Sequence, residues 1–127
     1  MRRVALLGMV LLALGAAGCG SSTSYTVDKT RSCLAARGVR IGGNLDFVAK
    51  TATGGAFAAS LGDNSVKVVF GETENDAEQI QQAYERFAFA NVKAGLADVL
   101  RRDRNAVMLW HEHPQDSDAA LVVGCLK

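Results

Sequence analysis

His111-Glu112-His113 is the densest grouping of metal-binding side chains in this 127-residue chain. On a strand alternate residues share a face, so both imidazoles can turn toward one ion. A metal site needs a third ligand, and these two are the only histidines present, so carboxylates alone remain to supply it. The spacing also differs from the His-Glu-x-x-His helix of zinc peptidases. Pro114 follows directly, which places His113 in a loop leading to a helix. No metal and no cofactor are therefore expected. Nucleophilic catalysis finds no better footing: there is no Gly-x-Ser-x-Gly elbow, and Cys33 with a histidine base competes with a disulfide role. The glycine pairs 42–43 and 54–55 lack the lysine and the helix of a phosphate loop and read as turns. Arg101-Arg102-Asp103-Arg104 reads as a solvated hairpin tip, with lipid headgroups as the alternative contact. An enzyme is not expected from this inventory; a small envelope hydrolase is the least favoured reading.

The elements that would position these groups follow from periodicity. Thr26 to Ala36 reads as a short helix, with Thr26 or Asp28 as N-cap, Cys33 and Leu34 as its apolar stripe and Gly38 ending it. Val39-Arg40-Ile41 is a brief strand. Asn44 caps a turn or two of helix carrying Leu45, Val48 and Ala49, which Thr53-Gly54-Gly55 interrupts. Ala56–Leu61 and Ser65–Phe70 form a hairpin around the turn Gly62-Asp63-Asn64. Thr73, with Asp76 as its capping-box partner, opens the clearest helix. Ala77, Ile80, Ala83, Tyr84 and Phe87 recur on its core face, while Glu78, Gln81, Gln82 and Glu85 point away. Residues 91–102 fit either a helix carrying Leu96, Val99 and Leu100 or, from Asp98, a strand entering an Asp103-Arg104-Asn105 turn. Ala106 to Glu112 is a strand, and Pro114 opens a helix running to about Leu126.

Displacing the chain by forty residues lays Phe70–Asp76 on Trp110–Asp116, a hairpin followed by a helix in each case. The fold expected is α+β: a mainly antiparallel sheet of four or five strands, a ββα–ββα pseudo-repeat, and helices on one face. Val66, Val68 and Phe70 then share the helix-bearing face with Ala106, Met108 and Trp110. Val69, Val107 and Leu109 fall on the other face. Aliphatics on a water-facing sheet mark an interaction face, unless a loop or the first helix covers them. Tyr84 and Trp110 are the candidate residues of a pocket between sheet and helices.

The N-terminus carries the most specific pattern. Met1-Arg2-Arg3 is basic, and Val4 to Ala17 is a run of fourteen uncharged, mostly apolar residues. A membrane-spanning helix needs ~20, so the run fits the core of a signal peptide. Leu14-Gly15-Ala16-Ala17-Gly18-Cys19 resembles the lipobox of bacterial lipoproteins, with Ala16 where a larger aliphatic is usual. The resemblance covers residues 1–19. It implies a diacylglycerol on the Cys19 thiol, cleavage before it, acylation of the new N-terminus and residence on the outer face of the cell membrane. An ordinary secretory signal, leaving Cys19 a stray thiol, is the alternative.

Three cysteines are an odd number for an exported chain. With Cys19 acylated, Cys33 and Cys125 remain, free to pair in an oxidising compartment and to join the first helix to the last. A pair of buried free thiols is the other outcome. The division expected is a signal at 1–18, a lipidated cysteine with a polar tether at 19–25, and a single domain at 26–127. Gly20–Ser24 spans only ~12 Å as a random coil, which keeps the domain close to the membrane.

Fourteen Lys and Arg against thirteen Asp and Glu leave a formal charge of +1, too balanced for the basic footprint of a nucleic-acid binder. A 49% hydrophobic content with one proline excludes a disordered chain. The function expected is that of a membrane-anchored binding or interaction module, meeting an envelope protein or a second copy of itself. The alternative is an exported ligand-binding or sensory domain with its pocket near Trp110.

Overall fold

The computed structural model describes residues 24–88 and 90–127. The signal segment, Cys19, most of the tether and Phe89 lie outside the described residues. Local chemistry sets most element boundaries. Helix α1 (Val27–Ala36) starts where the Thr26 hydroxyl accepts the Lys29 amide at 3.4 Å, and it ends at Gly38, whose φ of +81° suits the left-handed turn. Strand β1 (Arg40–Ile41) follows. Helix α2 (Phe47–Lys50) is capped by Asp46, two residues later than the Asn44 cap read from the sequence, because the Asp46 carboxylate accepts the Ala49 amide at 2.9 Å.

Strands β2 (Ala56–Leu61) and β3 (Asn64–Phe70) form the expected hairpin. Leu61 pairs with Asn64, so the turn is the two residues Gly62-Asp63 rather than three. Gly62 alone takes a positive φ, +60°, as a type II′ turn requires. Helix α3 (Glu74–Phe87) is capped by the Thr73 hydroxyl, which accepts the Asp76 amide at 3.1 Å. The Asp76 carboxylate reaches back to the Glu72 amide at 3.1 Å. Both readings of residues 91–102 are realised in succession: helix α4 (Ala90–Val99) passes into strand β4 (Leu100–Asp103). Strand β5 (Ala106–Trp110) completes a second hairpin. Helix α5 (Asp116–Cys125) begins two residues beyond Pro114, with Gln115 at the cap making no side-chain hydrogen bond.

The five strands form one antiparallel sheet in the order β1-β2-β3-β5-β4. At its centre Val66 lies opposite Trp110, Val68 opposite Met108 and Phe70 opposite Ala106. These six residues share a face and pack against Leu34 of α1 and Val122 and Cys125 of α5. The Cys33–Cys125 disulfide, with Cα atoms 5.4 Å apart, ties the first helix to the last. The other face carries Val69 and Val107 beneath Ala77, Ile80 and Tyr84 of α3 and Leu96 of α4, with Ala49 of α2 at the side.

Helices therefore cover both faces of the sheet, which corrects the one-sided arrangement expected from the sequence. Val69 and Val107 are fully buried and offer no surface to a partner; only Leu109 of that trio keeps partial exposure. The hairpin–helix repeat holds in connectivity but not in symmetry. A rotation superposing β3 on its antiparallel neighbour β5 has its axis normal to the sheet, so it would keep both following helices on one face. Here α3 and α5 lie on opposite faces.

The chain enters the domain at the end of the sheet where β3 finishes. The Ser24 hydroxyl donates to the Glu72 carbonyl at 3.2 Å. The buried Asn105 side chain accepts the Tyr25 amide at 2.8 Å and donates to the carbonyls of Tyr25 and Gly71 at 2.9 and 2.8 Å. The Thr26 amide donates to the Lys127 carbonyl at 2.7 Å. Among the described residues no helix is long and apolar enough to cross a membrane.

Candidate functional site

The helical layer over Val69 and Val107 does not close over the whole sheet. Gly71 lets the start of α3 press onto the end of β3: a Cβ there would stand 2.7 Å from the Ala77 amide nitrogen. From this close contact α3 runs back along the sheet to Tyr84 and Phe87. There, with α2 and α4, it walls a cleft of about 700 Å³. The floor is Ser65 and Lys67 of β3, Leu109 of β5 and His111 just beyond the end of β5. Val92, Leu96 and Val99 form the α4 side, and Phe47 and Val48 the α2 side.

The lining is mainly apolar, and its rim is unusual. Among the described residues four large apolar side chains stand out as exposed: Phe47 at 77%, Phe87 at 66%, Val92 at 45% and Val123 at 44%. The first three line this cleft. Solvent-exposed apolar groups scattered singly mean little, but gathered around one concavity they mark a contact surface. Phe87, read from the sequence as part of the core face of its helix, belongs to this rim instead. Among the described residues its ring stays open to solvent at the end of α3.

One wall of the cleft is polar. Lys67 Nζ lies 2.8 Å from Asp46 Oδ2. The Tyr84 hydroxyl donates to both Asp46 oxygens, at 3.0 and 3.1 Å. Asp46 thereby fastens α2 to β3 and α3 while capping its own helix. Partial burial pushes the Asp46 carboxyl up. The hydrogen bonds from Lys67 and the Ala49 amide, the Lys67 charge and the Tyr84 hydroxyl outweigh it and hold the group below the usual carboxylate range. Burial, followed by the Asp46 charge and hydrogen bond, drives the Tyr84 phenol far above its ordinary value, so it stays a neutral donor.

The residues singled out from the sequence separate clearly. Tyr84 and Leu109 line the cleft. Trp110 borders it, but its neighbours Leu109 and His111 face the cavity. By strand alternation its ring belongs to the opposite layer, where it packs in the core with Val66 and Met108 at 2% exposure. Its indole N–H is buried there without a hydrogen-bond partner among the described residues. His111 lines the cleft, whereas His113 leaves it: His113 Nδ1 lies 2.6 Å from Asp98 Oδ1, across the surface to α4. Among the described residues no three of His, Cys, Asp or Glu gather into a set that could hold a metal ion. Cys33 and Cys125 lie on the far side of the sheet, joined to each other.

Sequence reading missed Asp46, Lys67, Phe47 and Val92. Asp46 had a visible signal, since an aspartate directly before Phe47-Val48-Ala49 is as good an N-cap type as Asn44 and stands two residues closer to that apolar run. Lys67 had another: it is the one charge within Ser65–Phe70, on the face its valine neighbours leave. Chemically, the cleft offers a neutralised ion pair, a neutral phenol, a serine and a histidine beside a broad apolar wall. Such a lining suits holding a molecule in place. Comparison with protein-family models, with curated proteins and with solved structures finds no match to this chain.

Proposed function

We propose that the chain is an exported lipoprotein, anchored through Cys19 at the outer face of the cell membrane. Its folded domain is a non-enzymatic binding module, and its site is the cleft between the sheet and α2, α3 and α4. The observation that carries the binding reading is the convergence of Phe47, Phe87 and Val92 on the mouth of a single cavity of about 700 Å³. That volume is within the range of small-molecule sites, roughly 300–1,000 Å³. The exposed rim supplies the unsatisfied apolar surface that a ligand would remove from water, at ~25 cal/mol per Å². The lipobox-like segment and the Cys33–Cys125 bridge support export to an oxidising compartment.

Two measurements test the reading. Titration with the apolar dye N-phenyl-1-naphthylamine gives saturable fluorescence enhancement in the unaltered protein. It falls at least tenfold in apparent affinity in Phe87→Ser and Val92→Asp, both exposed positions where folding is retained. Enhancement that is absent, or unchanged in both variants, removes the cleft as the site. The intact mass of the protein from its host's membranes tests the anchor: the account expects loss of residues 1–18 and a lipid mass at Cys19. A chain beginning at Met1 without lipid contradicts it.

A further inference from the structure

Resting on the reading of the cleft as a binding site, we propose that its ligand is an amphiphile: a single apolar chain bearing a head that accepts hydrogen bonds through oxygen. Hydrogen-bonding capacity at the polar wall selects the head. Asp46 has little left to offer. Its Oδ1 already accepts from the Ala49 amide and its Oδ2 from Lys67, and the two oxygens share the single Tyr84 hydroxyl proton. Lys67 is different. An ammonium carries three N–H donors and no acceptor, and among the described residues Asp46 is its one partner.

Two further groups stand beside it. Ser65 is two residues from Lys67 on β3 and so shares its face. The His111 amide donates to the Ser65 carbonyl at 2.9 Å, which sets His111 across from Ser65. Among the described residues neither the Ser65 hydroxyl nor the His111 ring makes a side-chain hydrogen bond, and both residues are exposed. Lys67 keeps two N–H donors free, and the Ser65 hydroxyl and the His111 ring can each donate one more, so donors outnumber what Asp46 takes up. The complement is a carboxylate or an ester carbonyl. A donor-only cationic head would instead leave the free Lys67 donors without a partner and meet the ammonium at close range. Phe47, Phe87, Val92 and Leu96 then take the chain.

Head-group discrimination tests this on the full chain carrying Cys19→Ser, so that no attached lipid competes. Dodecanoate, methyl dodecanoate and dodecylammonium share one chain and differ in the head. Displacement of the naphthylamine dye by the first two is expected at concentrations at least tenfold below that of dodecylammonium. Ser65→Ala with His111→Ala is expected to shrink that gap to less than threefold, each displacement being scaled to the dye affinity measured for that variant. Dodecanoate ahead of the ester assigns the site to free carboxylates, and parity assigns it to ester-bearing lipids; either supports an acceptor head. Three equal affinities, or a gap that survives the double variant, overturn the head-group inference and leave the apolar site standing. Failure of the dye to bind at all overturns the reading beneath it.

Discussion

At the scale of single residues, Asp46 does the most to define the cleft. One carboxylate caps α2, holds Lys67 and receives the Tyr84 hydroxyl, so three elements meet on it. Its pKa is depressed in the folded protein. A depressed carboxylate contributes stability that is complete above its unfolded pKa, near 4, and is lost as pH falls through the folded value. The unfolding midpoint of the unaltered protein should therefore drop between about pH 5 and pH 3 more steeply than that of Asp46→Asn. At neutral pH that variant should be destabilised by roughly 1 kcal/mol, from the partly exposed ion pair, since the asparagine oxygen still caps the helix. Equal slopes in urea titrations across that range would remove Asp46 from its structural role.

At the scale of elements, the disulfide and the cleft lie on opposite sides of one sheet, and this makes them separable. Cys33–Cys125 closes a loop with a sequence separation of 92, worth roughly 4–5 kcal/mol by chain entropy. Replacing both cysteines by serine should lower unfolding stability by about 2–5 kcal/mol. Dye affinity of the molecules that remain folded should stay within about twofold, since α1 and α5 contribute nothing to the cleft lining. A loss of stability below 1 kcal/mol, or a parallel loss of binding, would contradict this division.

The elements also show what was legible beforehand. Thr26, Gly38, Gly62-Asp63 and Thr73 announce helix and turn boundaries through local chemistry alone, and the structure follows them closely. The face that each helix covers is not local information. Val66 to Phe70 alternates imperfectly and Ala106 to Trp110 is apolar at every position, the pattern of strands buried on both sides. That continuous run was the available sign that helices flank both faces. Residues 91–102 were ambiguous because a helix and a strand meet at Leu100 with no proline or glycine between them. Of the site, Tyr84 and Leu109 were within reach, whereas the Asp46–Lys67 pair joins residues 21 apart whose contact depends on how α2 docks.

At the scale of the molecule, the chain enters near Glu72, at the far end of β3 from Ser65. Five steps along the strand take the chain from Ser65 to Phe70, a distance of ~17 Å. The cleft thus lies at the end of the sheet remote from Ser24, where the described chain enters the domain. The fold, on this account, is a two-sided clamp. One helical layer is locked to the sheet by the disulfide, and the other leaves its last turns apart so that something apolar can enter.

The most direct test of that account is to follow the backbone amides of the isotope-labelled protein by NMR while dodecanoate is added. The account predicts saturable shifts confined to Lys67, Tyr84, Val92, Leu109 and His111 and their neighbours, with Leu34 and Val122 on the disulfide side unmoved. Shifts centred on α1 and α5, or changes that never saturate, would contradict it.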